Sequence, residues 1–277
     1  MDHSQTVVTM RQPRNTTALM QLLQLLVSKG YLWWCGGRIR REKLNGFVQK
    51  MASRYPLERS VRGRAYDKTR GVAVMHLILF PVSQQDFAWW MVSTAGRNGL
   101  ADSATPDHCV AVDASSSGGH VTYGDYVLHY ATKKASHRIR CTDGAEKVVL
   151  KDCSTWTWKM SDAVFNKSRR EIEALAVKVG AQGGEKTVIA MRRYLSCQRS
   201  RPLFAGVRNQ VIELHRVARD RLARSGCGSH EFGREKNRSA LIDVSTVIAT
   251  QLPKMRRIKL YSDALPAVKE KASQAHA

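Results

Sequence analysis

The chain has 277 residues, 43% hydrophobic and 25% charged, a globular composition unlike that of a disordered or collagenous chain. Lys and Arg number 45 against 23 Asp and Glu, a formal charge of +22; self-repulsion on that scale makes a polyanionic partner the first explanation to test. No apolar run reaches about 18 residues, no repeat recurs, and MDHSQTVVTM lacks the pattern of a secretory leader, so a membrane span, a solenoid and export are not expected.

Residues 1–15 read as a polar, disordered start. Thr16 and Thr17 precede Ala18–Lys29, where Leu19, Leu22, Leu23 and Leu26 recur at helical spacing before Gly30, predicting a helix with a Thr cap and a Gly stop. Tyr31–Cys35 predicts a short buried strand closed by Gly36-Gly37. Arg41–Tyr55 predicts a second helix, with Leu44, Phe47, Val48 and Met51 on one stripe and Pro56 beyond it. The segment RSVRGRAYDKTR (59–70) is too basic and irregular for a core element and reads as a loop or ribbon hairpin. Gly71–Phe80, apolar on both faces, predicts a central strand. Phe87–Thr94 predicts another, 97–119 a long polar loop, and Gly124–Thr132 a third strand. Arg138–Cys141 and Lys147–Lys151 flank a hairpin signal at Asp143-Gly144, and Thr155–Lys159 alternates as a strand should.

After Ser161 the hydrophobic period lengthens from two to about 3.6 residues. Helices are expected over Asp162–Val179, Thr187–Arg199 and Leu203–Ala223, the last with Val207, Val211, Leu214, Ala218 and Leu222 inward. A further helix, Val244–Leu252, and a basic strand-like segment, Lys254–Tyr261, close the ordered part. The fold class is therefore α+β: an antiparallel or mixed sheet of about five to six strands, since strands follow one another without crossover helices, with N-terminal helices and a C-terminal helical region. The expected organisation is an α+β domain over 16–160, a helical region packed on the sheet over 161–224, a linker over 225–239, a C-terminal helix and basic strand over 240–265, and a tail over 266–277.

Motifs that carry chemistry are scarce. Cys35, Cys109, Cys141, Cys153, Cys197 and Cys227 form no C-x-x-C pair, so they read as reduced thiols of a cytoplasmic protein. Asp107-His108-Cys109 is too short to close a metal site, and the H-E-x-x-H, phosphate-loop, dinucleotide and nucleophile-elbow patterns are absent. Asp102, Asp107, Asp113 and Asp125 lack the ordered spacing of a metal-dependent nuclease. No metal or cofactor is expected, and no catalytic residue is assigned. His120, Tyr123 and His129 keep open a metal-free general acid–base reaction on nucleic acid.

The strongest signal is clustered cations. Residues 1–100 carry 15 basic and 5 acidic side chains, 101–160 carry 7 and 7, and 161–277 carry 23 and 11. Arg38, Arg40, Arg41 and Lys43 crowd a helix entrance, where they oppose the macrodipole and better suit phosphate. Arg59, Arg62, Arg64, Lys68 and Arg70 have only Asp67 nearby. Arg192, Arg193, Arg199, Arg201 and Arg208 follow in the helical region, then Arg216, Arg219, Arg221 and Arg224, and finally Lys254, Arg256, Arg257 and Lys259. A solvated, acid-balanced surface explains 162–179, where Glu171 and Glu173 accompany Arg169 and Arg170, but explains the other clusters poorly. Arg prevails over Lys, which suits bidentate contacts to phosphate or guanine. Trp33-Trp34, Trp89-Trp90 and Trp156-x-Trp158 read mainly as core, with one face of Trp89/Trp90 or Trp156/Trp158 as the alternative stacking platform for unpaired bases.

Three stretches, KDCSTWTWKM (Lys151–Met160), RSRPLFAGVRNQV (Arg199–Val211) and LPKMRRIKLY (Leu252–Tyr261), together resemble an uncharacterised family of basic proteins carried by proteobacterial plasmids and integrative/conjugative elements. The resemblance covers the C-terminal half and the Trp89-Trp90 region. It supplies no catalytic residue and implies a setting, the replication, maintenance or transfer of a mobile genetic element. The favoured expectation is a non-catalytic protein that binds DNA or RNA through its arginines. Two alternatives are a metal-independent endoribonuclease of the guide-RNA-processing kind and a scaffold subunit that binds an acidic protein.

Overall fold

The computed structural model describes residues 12–107, 110–140, 146–182, 185–225 and 252–260. Among these residues it is α+β, with seven strands divided between two antiparallel sheets of four and three. Two compact units emerge. One comprises residues up to Gly119 together with the segment from Arg257, and the other is His120–Arg256. The change of hydrophobic period near 160 falls inside the second unit, between its hairpin and its helices.

The first unit begins with α1 (Thr16–Ser28), which buries Leu19, Leu22, Leu23 and Leu26; its cap is Asn15, whose side chain accepts from the Ala18 amide at 2.9 Å, rather than either threonine. Next come β1 (Trp33–Arg40), a 3-10 turn (Arg41–Lys43), α2 (Leu44–Arg54), α3 (Val61–Thr69), β2 (Met75–Pro81), β3 (Asp86–Ser93) and β4 (Val112–Asp113). The strands lie in the order β2-β3-β1-β4. Period-two alternation sends Cys35, Leu77, Leu79, Phe87 and Met91 to one face, where Met51 of α2 and Tyr55 join the core. Ile78, Phe80, Ala88, Trp90 and Val92 alternate to the opposite face and are buried too. Each large side chain so buried contributes roughly 1.5–3 kcal/mol.

Three expectations are corrected here. Gly36-Gly37 does not end β1; the strand continues to Arg40 because these glycines make room for Trp89. A Cβ on Gly36 would stand 2.7 Å from the Trp89 carbonyl oxygen, and one on Gly37 would stand 3.2–3.3 Å from the Trp89 indole. Residues 61–69 are helical rather than a loop or hairpin: Ser60 caps the Gly63 amide at 3.1 Å, and the only buried residue of the helix is Asp67, so no apolar stripe announces it. Finally, β2 is an edge strand among the described residues. It is apolar on both faces because both faces of the sheet are covered, a demand that does not depend on its place in the order.

The second unit is built on a long hairpin. Strand β5 (Thr122–Tyr123) pairs with β6 (Tyr126–Arg140), which pairs with β7 (Glu146–Met160) from Tyr126↔Met160 to Arg140↔Glu146. The separate segments expected at 124–132 and 138–141 thus join in β6, and those at 147–151 and 155–159 in β7. The Asp143-Gly144 turn lies outside the described residues. Helices α4 (Asp162–Gln182), α5 (Glu185–Arg199) and α6 (Ala205–Ser225) follow as the sequence indicates, and Val207, Val211, Leu214, Ala218 and Leu222 are all buried. A tight joint seats α6 on β7. Gly206 lets the helix approach so closely that a Cβ there would lie 2.5 Å from the Trp158 carbonyl oxygen. The Gln210 side chain bonds both the amide (2.6 Å) and the carbonyl (3.1 Å) of Met160, and Phe204 packs on buried Trp158.

Residues 226–251, which hold most of the expected linker and the helix to Leu252, lie outside the described residues. Where a basic strand was expected, 252–260 has no regular secondary structure. It is held by single bonds instead of a ladder: the Ile258 amide donates to Gln21 Oε1 at 3.1 Å, and the Leu260 carbonyl accepts from Arg14 at 3.0 Å. Among the described residues, no helix is long and apolar enough to cross a membrane.

Candidate nucleic-acid interface

The densest group of cations in the first unit is carried by α3. The helix is fastened by Asp67, whose carboxylate takes Arg59 Nε at 3.2 Å and whose carbonyl accepts from the Val72 amide at 2.9 Å. On the same side, one turn apart, stand Arg64 and Lys68. The Lys68 ammonium lies 4.8 Å from the centre of the Tyr31 ring, which itself tilts against His76 at 5.0 Å. Burial pushes the His76 imidazolium down to about 4, and Arg64, Lys68 and Lys29 push in the same direction. Tyr31 is raised by burial, an effect that Arg64 opposes. Burial dominates both shifts, and the cations around the two rings add to them or oppose them according to sign.

The far side of α3 carries Arg62, Ala65, Tyr66 and Thr69, with Arg70 just beyond. Val61 and Tyr66 are 77% and 60% exposed, which is unusual for an apolar and an aromatic side chain. The Arg70 guanidinium sits 5.5 Å over the Tyr66 ring and donates to its hydroxyl at 3.3 Å. Arg97 joins the group, because an isolated parallel bridge between Val72 and Arg97 brings its guanidinium to the Arg70 carbonyl at 3.3 Å. In the sequence Arg97 opens the polar loop 97–119 and Tyr66 carries no signal beyond the helical spacing of 62, 66 and 70.

Arg38 and Arg40 alternate along the exposed end of β1. Strand β4 pairs only with Trp33 and Trp34, so Cys35–Arg40 is an edge of the sheet among the described residues, and cations there also keep another strand from docking. Arg40 lies 3.8 Å from Glu42, both exposed, and Arg41 rests 5.4 Å from the centre of the Phe87 ring. Lys43 occupies the cap of α2 without a side-chain cap bond.

In the second unit, Arg192, Arg193 and Arg199 are exposed on α5 and make no ion pair among the described residues, and Arg208 is half-buried on α6. Arg201 has a structural task. Only 19% exposed, it lies 3.6 Å from Asp125 and donates to the Tyr126 hydroxyl at 3.3 Å and to Gln198 at 2.8 Å. Arg256 and Arg257 are exposed in the irregular segment.

Other candidates find ordinary uses. The Asp107 carboxylate accepts from the Tyr55 hydroxyl at 2.5 Å and pairs with Arg54 at 3.4 Å; His108 and Cys109 lie outside the described residues. Burial, then Asp107, pushes the Cys35 thiol up to about 12, so it is inert. Among the described residues, no group of His, Cys, Asp and Glu could hold a metal ion. None of the six tryptophans is exposed. Trp90, Trp156 and Trp158 are buried, Trp89 packs on Phe47, and Trp34 donates to the Gly119 carbonyl at 2.6 Å. No family model, curated protein or solved structure matches the chain.

Proposed function

We propose that this is a non-catalytic nucleic-acid-binding protein of the cytoplasm whose arginines neutralise phosphates, acting in the replication, maintenance or transfer of a mobile genetic element. The observation that carries the reading is the group formed by Lys29, Arg62, Arg64, Lys68, Arg70 and Arg97. The carboxylate of α3, Asp67, is already engaged by Arg59. Such a field raises the local concentration of a polyanion and binds it by releasing counterions. The mobile-element setting rests on the resemblance of the three stretches alone. Two of them, Lys151–Met160 and Arg199–Val211, contain the residues that seat α6 on β7, a packing role that leaves binding to other residues.

The test is a salt series on mixed-sequence DNA and RNA. The expected slope of log affinity against log salt is about −0.9 for each phosphate contacted on duplex DNA. Affinity that stays flat from low to physiological salt overturns the reading.

A second reading, a metal-independent endoribonuclease, draws on one observation. The register puts His129 on the same face of the hairpin as Lys159, and burial, then Lys159 and His120, lower the His129 imidazolium, keeping it a neutral base. Discrete products from structured RNA incubated in EDTA, lost in His129→Ala, would favour this enzyme over a simple binder.

A further inference from the structure

We infer that α3 is a groove-reading helix and that its partner is double-stranded DNA, entered through the major groove by the outward face bearing Arg62, Tyr66, Thr69 and Arg70. The inference rests on the nucleic-acid reading above and deepens it by naming the polymer and the element.

The first argument is shape. Asp67 is the sole buried residue of α3, so the helix is attached along one line and its opposite side stands clear of the unit over its whole length. A single α-helix, about 10–12 Å across, matches the major groove of B-form DNA, about 12 Å wide. The corresponding groove of A-form RNA is too deep and narrow for side chains to read.

The second argument is chemistry. With Asp67 turned inward and Arg64 and Lys68 flanking it, 100° per residue carries Arg62, Tyr66 and Thr69 to the outer side. That side presents guanidinium to guanine O6 and N7 and hydroxyls to phosphate, while exposed Ala65 lies beside it within reach of a thymine methyl group. The first turn of α3 contains no acid, and a cation there works against the macrodipole. Arg62 is therefore not kept for the helix. The third argument concerns Tyr66. A single-strand binder uses exposed ring faces as platforms for bases, but the guanidinium of Arg70 lies over one face of this ring and donates to its hydroxyl, so the pair presents the guanidinium and the phenol O–H together.

The experiment uses the full chain with a 20–30-base-pair DNA duplex, the RNA duplex of the same sequence, and the single strands. It compares Arg62→Ala, Tyr66→Ala and the double variant with the wild type, thermal melts verifying that each is folded. The expected result is tighter binding of the DNA duplex than of the RNA duplex, and a loss of about tenfold or more on duplex DNA in the double variant with binding to single strands unchanged. Arg62→Lys should keep the salt slope and lose sequence selectivity in enrichment from a random duplex pool, because ammonium retains charge without the bidentate fork. Salt-dependent binding that is equal on DNA and RNA duplexes, or unaffected by the Arg62 and Tyr66 substitutions, overturns this inference and leaves the general reading standing. No binding to any of the polymers at low salt overturns both.

Discussion

Two helical surfaces of this protein carry clustered cations and differ in what surrounds them. Between α4 and α6, Arg169 and Arg221 share Glu173 at 3.5 and 3.3 Å, Arg216 meets Glu213 at 2.5 Å, and Arg219 meets Asp220 at 3.4 Å. All of these but Arg219 line, together with Arg224, a shallow cleft of about 360 Å³ whose cations and carboxylates nearly cancel. On α3, by contrast, Arg62, Arg64 and Lys68 make no ion pair among the described residues, and the one acid is spent on holding the helix down. Exposed pairs of the α4/α6 kind are worth about 0–1 kcal/mol each and need no outside partner. Charge excess therefore locates an interface only where it is uncompensated, which the net charge of a segment does not reveal.

The largest consequence should come from α3. Replacing Arg62, Arg64 and Arg70 together by Ala should weaken binding to all nucleic-acid sequences by roughly two to three orders of magnitude at low salt and flatten the salt slope by about three units. Titration of the histidines gives the next effect. His76 and His215 are both lowered from 6.5 to about 4, each chiefly by burial, with Arg64, Lys68 and Lys29 adding to the first and Arg199 to the second. The unfolded chain takes up these protons near pH 6.5 and the folded chain only near 4, so stability is intact above the higher value and declines as pH falls toward the lower. The loss amounts to at most about 3 kcal/mol per histidine. Unfolding midpoints between pH 7.5 and 4.5 measure it. In the Arg64→Ala, Lys68→Ala variant, NMR titration should find His76 shifted upward, whereas Arg169→Ala and Arg221→Ala should leave it in place.

Gly206→Val tests the scaffold on which the paired surface stands. Its side chain would drive α6 off the Trp158 carbonyl and should cost about 2 kcal/mol in denaturant unfolding. The smallest effect should belong to Arg169, Arg216 and Arg221. Their combined replacement by Ala should alter nucleic-acid affinity by less than about twofold, because each already has a carboxylate.

How far the sequence foretold these features depends on the signal each leaves. Amphipathic α6 and the alternating Thr155–Lys159 stretch of β7 announce themselves, since a face-wise pattern imposes a period on the residues. Helix α3 leaves no such trace, because its one buried residue is the carboxylate Asp67 and no apolar stripe faces the core. Gly36-Gly37 misleads for a related reason: the glycines answer to a tryptophan some fifty positions away in the chain, and local rules treat them as punctuation. The arginine clusters themselves are visible by inspection. Their sorting is not, because the acids that engage Arg201 and Arg221, namely Asp125 and Glu173, lie far off in sequence and meet them only on folding. The bridge that adds Arg97 to the α3 group is equally non-local.

The distinction between the two surfaces can be read directly by modifying the free chain and its nucleic-acid complex with an arginine-selective dicarbonyl reagent and mapping the sites by mass spectrometry. Bound nucleic acid should shield Arg62, Arg64 and Arg70 while Arg169, Arg216 and Arg221 react at the same rate in both samples. Shielding of the second trio with the first left reactive, or equal shielding of both, would contradict the account.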